Sequence, residues 1–128
     1  LPEKIQDFIR THHGTSQAKY FYIKACNKNP DTPVEISKFT YPGPRPFSRE
    51  MAILMMCDAV EAASRSMKEY TDESITNLVS KIIDSQIAEG AFKDAPLTFR
   101  NIVQIKAKLI QKLKTIYHTR VSYPELKK

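Results

Sequence analysis

Thr71-Asp72-Glu73-Ser74-Ile75-Thr76-Asn77-Leu78-Val79-Ser80-Lys81-Ile82-Ile83-Asp84-Ser85-Gln86-Ile87-Ala88-Glu89-Gly90 sets the fold class. Ile75, Leu78, Val79, Ile82, Ile83 and Ile87 recur every three or four positions, the spacing of one helical face. Thr71 is a capping residue type, and Asp72 and Glu73 fall where the positive end of the helix dipole favours carboxylates. Gly90 suits the residue that stops the helix.

The same pattern extends in both directions. Downstream, Thr98 caps a last helix, about 98–120, with Ile102, Ile105, Leu109, Leu113, Ile116 and Tyr117 inside and Lys106, Lys108, Lys112 and Lys114 largely outside. The tail Val121-Ser122-Tyr123-Pro124 leaves it. Upstream, Ser48 caps a helix running to about Lys68, in which Met51, Met55, Met56 and Met67 read as core filler and Cys57 as a small buried apolar residue. From 29 to 46 lie five of the eight prolines. The run Tyr41-Pro42-Gly43-Pro44-Arg45-Pro46 cannot be helical, because proline lacks the amide donor and restricts the residue before it. Residues 29–47 therefore form a long, stiff loop, whose Phe39, Tyr41 and Phe47 suggest that it packs down. Before it, a helix starting near Thr15 or Ser16 carries Tyr20-Phe21-Tyr22 and ends at about Lys28. The first helix places Ile5, Phe8, Ile9 and His12 on one side and ends before Gly14. The class is all-α, about five helices in a bundle, without strand-like alternation or internal repeats.

Composition narrows the function. With 41% hydrophobic and 27% charged residues in 128 positions, the chain is ordinary globular material. Its longest mainly apolar stretch, Met51–Val60, is about half of the roughly 20 residues needed to cross a bilayer. The opening Leu1-Pro2, with helix-like sequence at once, reads as a segment of something longer. Two cysteines, Cys26 and Cys57, lack the spacing of a metal finger or disulfide framework. The net charge of +6 is localised: residues 1–97 carry twelve Lys/Arg against thirteen Asp/Glu, and residues 98–128 carry eight against one. One basic helix without a base-reading motif gives only non-specific attraction to phosphates, so no specific nucleic acid is implied.

Two places could carry chemistry. In His12-His13-Gly14-Thr15, adjacent helical side chains diverge by about 100°, so the two imidazoles take different roles. His12 falls on or beside the buried stripe and His13 at its rim. A helix-end imidazole favoured by the dipole and a satisfied core histidine account for the pair more readily than metal or acid–base work does. In Met51-Ala52-Ile53-Leu54-Met55-Met56-Cys57-Asp58-Ala59-Val60, Asp58 is expected to be partly buried and so to need Arg65, Arg49, a histidine or a metal as partner. Glu61 and Arg65 have the spacing of a plain helical ion pair. Phosphate-loop, dinucleotide, serine-hydrolase and HExxH motifs are absent.

The stretch Asp7-Phe8-Ile9-Arg10-Thr11-His12-His13-Gly14-Thr15, then Tyr20-Phe21-Tyr22, the Tyr41–Pro46 loop, and Asp58-Ala59-Val60-Glu61-Ala62-Ala63-Ser64-Arg65-Ser66 resemble the HD-hydrolase domain of seven-transmembrane HD proteins, which are bacterial cyclic di-AMP phosphodiesterases. The resemblance continues through Leu97-Thr98-Phe99-Arg100, Ile116-Tyr117-His118-Thr119-Arg120 and Tyr123-Pro124-Glu125. It implies that residues 1–128 are the C-terminal portion of one HD domain on the cytoplasmic side of a protein of the bacterial inner membrane. It implies an all-helical bundle holding two divalent transition-metal ions, iron or manganese, with His12 as the last histidine ligand and Asp58 as the closing carboxylate. His13 is implied as a supporting residue, and Arg65, Arg45 and Tyr41 as contacts to phosphate or adenine. The chain has no His-Asp dipeptide, so the resemblance implies that its partners are cyclic di-AMP and the remainder of the domain. Alone, it would bind metal weakly, hydrolyse slowly or not at all, and expose an apolar face prone to self-association. The competing readings are a non-catalytic helical module for a nucleotide or protein partner, and a basic surface binder using Lys106 to Lys114.

Overall fold

The computed structural model describes residues 2–15, 19–28, 30–41 and 43–122; the side chains of residues 19–21, 39 and 119–122 lie outside the described set, as does the tail from Tyr123. Among the described residues five α-helices follow one another: α1 (Glu3–Thr11), α2 (Lys19–Lys28), α3 (Arg49–Ser64), α4 (Asp72–Ala88) and α5 (Phe99–Ser122), with one 3-10 turn at Ile36–Phe39 in the proline-rich loop. The expected all-α class is observed.

The three long helices form the core, and each of their starts, with the stop of α4, is specified locally. Ser48 Oγ accepts the Met51 amide at 3.2 Å, which starts α3. Thr71 and Ser74 cap α4 reciprocally, at 3.0 and 2.9 Å. Thr98 and Asn101 do the same for α5, each bond 3.0 Å. Helix α4 closes with Gly90 at φ +81°, where the Ala91 amide reaches the Gln86 carbonyl and the Gly90 amide the Ile87 carbonyl. That double closure satisfies carbonyls the helix end would otherwise leave bare.

Helix α4 packs on α3 and α5, and α1 packs on α3. Met55, Met56 and Val60 of α3 meet Ile75, Val79 and Ile83 of α4 and Leu113 and Tyr117 of α5 in one cluster. Each fully buried aliphatic side chain contributes on the order of 1.5–3 kcal/mol relative to exposure. Where the helices converge, Ser64 Oγ lies 3.0 Å from Tyr117 Oη, and Tyr70 donates to the Ser64 carbonyl at 2.8 Å. The Tyr70 and Tyr117 rings stack at 3.8 Å.

Four expectations need correction. Helix α3 ends at Ser64, short of Lys68, because the Ser64 carbonyl turns to the Met67 amide and the Tyr70 hydroxyl. Ile87 and Ile116 lie at the edge of their stripes and are 43% and 42% exposed. Phe47 is exposed, and Pro46 is the buried anchor of the loop; the Phe39 side chain lies outside the described set. Lys106 and Lys114 are not free outer charges. Lys106 Nζ meets Asp84 at 2.6 Å and Lys114 Nζ approaches Asp72 at 3.8 Å, so α4 acids neutralise part of the basic face of α5. No helix among the described residues is long and apolar enough to cross a membrane.

Candidate metal centre

The turn after α1 carries the histidines. Thr11 Oγ1 donates back to the Asp7 carbonyl at 2.7 Å, the Gly14 amide closes on the Thr11 carbonyl at 2.9 Å, and Gly14 takes φ +53°. A side chain at Gly14 would begin 3.4 Å from both Met55 Cε and Pro46 Cδ. The missing side chain thus lets the histidine turn press against α3 and the proline loop. Asp58 lies one helical turn beyond Met55 on α3.

His12 and His13 are both half-buried. His12 Nδ1 is 2.6 Å from the Ile9 carbonyl. A carbonyl only accepts, so Nδ1 carries the proton and the Nε2 lone pair of the neutral ring is left for another partner. Committing one ring nitrogen to a backbone carbonyl is how metal-ligating imidazoles are usually oriented. His13 lies against His12 at 4.1 Å between ring centroids, and Tyr41 stacks on His13 at 4.4 Å with ring planes 11° apart. The structure therefore brings His12, His13 and Tyr41 together from positions 29 apart in the chain.

Asp58 is exposed, which corrects the expectation of partial burial. Helix α3 turns Met51, Ala52, Met55, Met56 and Val60 toward the core. Asp58 falls on its other side, with the exposed Ile53 and Leu54. Neither Arg65 nor Arg49 pairs with it, and its carboxylate has no partner among the described residues. Arg65 Nε instead meets Glu61 at 3.2 Å on the surface. Arg45 Nε reaches Asp94 at 3.2 Å, tying the proline loop to the turn between α4 and α5. Asp94 was invisible as a partner of Arg45 in the sequence, since no local spacing connects 45 with 94; the Ile9 carbonyl lies only three residues before His12, but residue type does not say which ring nitrogen meets it.

An imidazole and a carboxylate suit a divalent transition metal in kind. In number they fall short, because no group of three or more histidine, cysteine, aspartate or glutamate side chains converges among the described residues. A groove of about 780 Å³ between the end of α4 and the start of α5, lined by Ile87, Phe92, Phe99 and Val103, contains none of His12, His13, Tyr41, Arg45, Asp58 and Arg65.

No protein-family model matches the sequence. The chain is 42% identical over 128 residues to the cyclic-di-AMP phosphodiesterase PgpH of Bacillus subtilis, and 41% identical over 125 residues to that of Listeria monocytogenes. These matches cover 100% and 98% of the chain but only 18% and 17% of the relatives' lengths. The crystal structure of the L. monocytogenes PgpH HD domain in complex with cyclic-di-AMP superposes with a TM-score of 0.85 at 40% identity, covering 91% of this chain and 54% of that one. Whole-length identity of 41–42% to part of these proteins, together with the shared helical arrangement, shows that the chain is homologous to, and folds like, a portion of the HD domain of PgpH proteins.

Proposed function

We propose that the chain is the C-terminal portion of an HD-type phosphodiesterase domain that hydrolyses cyclic di-AMP in a longer bacterial inner-membrane protein, on its cytoplasmic side. Supporting this are the similarity to PgpH proteins and the complex of one relative's HD domain with cyclic-di-AMP. One observation carries it at the level of the site. The His12 ring, with Nδ1 committed to a carbonyl, stands on a turn held against the helix that bears the unpartnered Asp58 carboxylate.

In this reading His12 Nε2 and an Asp58 oxygen are two of the donors to a pair of divalent metals, iron or manganese. When bound, such metals supply a water acidic enough to attack phosphorus and charge to stabilise the displacement. The chain's own residues orient these donors. Arg65 lies seven positions after Asp58, two turns along the same exposed side of α3, and faces a phosphodiester there once it leaves Glu61. That exchange is inexpensive, since exposed ion pairs are worth about 0–1 kcal/mol. Arg45 is held by Asp94 and anchors the loop. The remaining metal donors and the cover for Ile5, Ile9, Ile53 and Leu54, which are exposed on α1 and α3, come from the rest of the domain.

The test uses the intact HD domain of the parent protein. His12→Ala and Asp58→Ala should each lower bound metal and cyclic di-AMP hydrolysis together. Full metal content and activity in either variant would overturn the assignment.

A further inference from the structure

We infer that Tyr41 is a positioning residue for the His12–His13 pair, and that Tyr41 together with residues 43–46 acts as a strap holding the histidine turn against α3. The inference rests on the metal-centre reading and assigns to Tyr41 a role toward the ligands, in place of a contact to adenine.

Three observations point to it. The Tyr41 ring lies flat on His13, 11° from parallel, and His13 in turn packs against His12, so the three rings form a continuous row. A row of rings with few free torsions restricts the rotamers of its members: His13 is held between two rings, and His12 at the end of the row is packed on His13 and has its Nδ1 already fixed. Second, the strap closes on the same turn at two further points. Pro46 is fully buried with its Cδ 3.4 Å from where a Gly14 Cβ would stand, and a side chain at Gly43 would begin 3.2 Å from the Thr15 methyl. Third, the strap is tethered at its far end by Arg45 to Asp94. One face of Tyr41 is occupied by His13, so the contact to His13 is the one the ring already makes.

A histidine whose orientation is set by neighbours binds metal more tightly than one that must be ordered on binding, and loss of such support costs roughly 10-fold or more in metal affinity. The experiment measures manganese affinity, the metal-free unfolding midpoint and the His13 ring-proton shifts in the intact HD domain carrying Tyr41→Ala, Tyr41→Leu or Tyr41→Phe. Tyr41→Phe preserves the flat ring and should match the parent. Tyr41→Leu preserves apolar bulk without the ring; it should remove the ring-current displacement of the His13 protons and weaken manganese binding about 10-fold with the unfolding midpoint little changed. Tyr41→Ala should do the same, and if it fails to fold the leucine variant decides. Unchanged manganese affinity in Tyr41→Leu, with the ring-current displacement of the His13 protons lost as described, would overturn the inference while leaving the metal centre intact. His12→Ala, assayed alongside, separates the two: undiminished manganese affinity there would overturn the metal-centre reading itself.

Discussion

The junction of Ser64, Tyr117 and Tyr70 offers a sharp test of what locks the three long helices. Ser64 is fully buried, its hydroxyl donates to the Glu61 carbonyl at 2.8 Å, and the same oxygen lies 3.0 Å from Tyr117 Oη. With the Ser64 proton committed to a carbonyl, the Tyr117 hydroxyl must be the donor across the α3–α5 interface. Tyr117→Phe removes that donor and keeps the ring stacked on Tyr70. The loss is then one buried neutral hydrogen bond, about 0.5–1.5 kcal/mol. Ser64→Ala removes two such bonds and should cost roughly 1–3 kcal/mol. In the double variant the Ser64–Tyr117 bond is lost once instead of twice, so a cycle measured by urea unfolding should give a coupling of about 1 kcal/mol. Tyr117→Ala also forfeits the buried ring, at about 3–5 kcal/mol. A coupling indistinguishable from zero, with both single variants destabilised, would show that the hydroxyls do not interact and refute the reasoning.

Two further outcomes follow from the core. Ile83→Ala, at a fully buried site between α3 and α5, should cost about 2–5 kcal/mol by the same urea assay, whereas Ile87→Ala, one turn on and largely exposed, should cost far less; equal losses would contradict the packing. Burial pushes the Cys57 thiol above its ordinary range. The unfolded chain therefore releases this proton first as pH rises, so Cys57 stabilises the fold fully below the unfolded-state value and loses that contribution above it. Alkylation rates against pH should accordingly rise at higher pH for folded than for urea-unfolded protein at Cys57, and coincident profiles would argue against its burial.

Much of the architecture was legible because its determinants are local. The caps at Ser48, Thr71 and Thr98 and the stop at Gly90 each act within a few residues, and the buried positions Ile75, Val79 and Ile83 repeat on every turn. Where expectation and structure part, the deciding partner is distant. Lys106 is held by Asp84 from another helix and Arg45 by Asp94, while the end of α3 is the exception, set by Met67 and Tyr70 three and six positions on. Asp58 was misplaced for a related reason. An apolar run such as Met51–Val60 covers every side of its helix, so period alone cannot say which side meets α4.

Sequence by itself determined the all-helical class, the positions of the long helices, and the His12 and Asp58 motifs by which the chain resembles HD hydrolases, since these rest on periodicity and on residue types in order. Tertiary structure alone decided which nitrogen of His12 is committed, that Tyr41 stacks on His13, that Arg45 is held by Asp94, and that Asp58 lies exposed without a partner. The Tyr41 and Arg45 contacts depend on approaches of a few ångströms between segments tens of residues apart, which no spacing along the chain encodes; the His12 contact to Ile9 is local but turns on the ring's rotamer, and the exposure of Asp58 on which side of α3 meets the core.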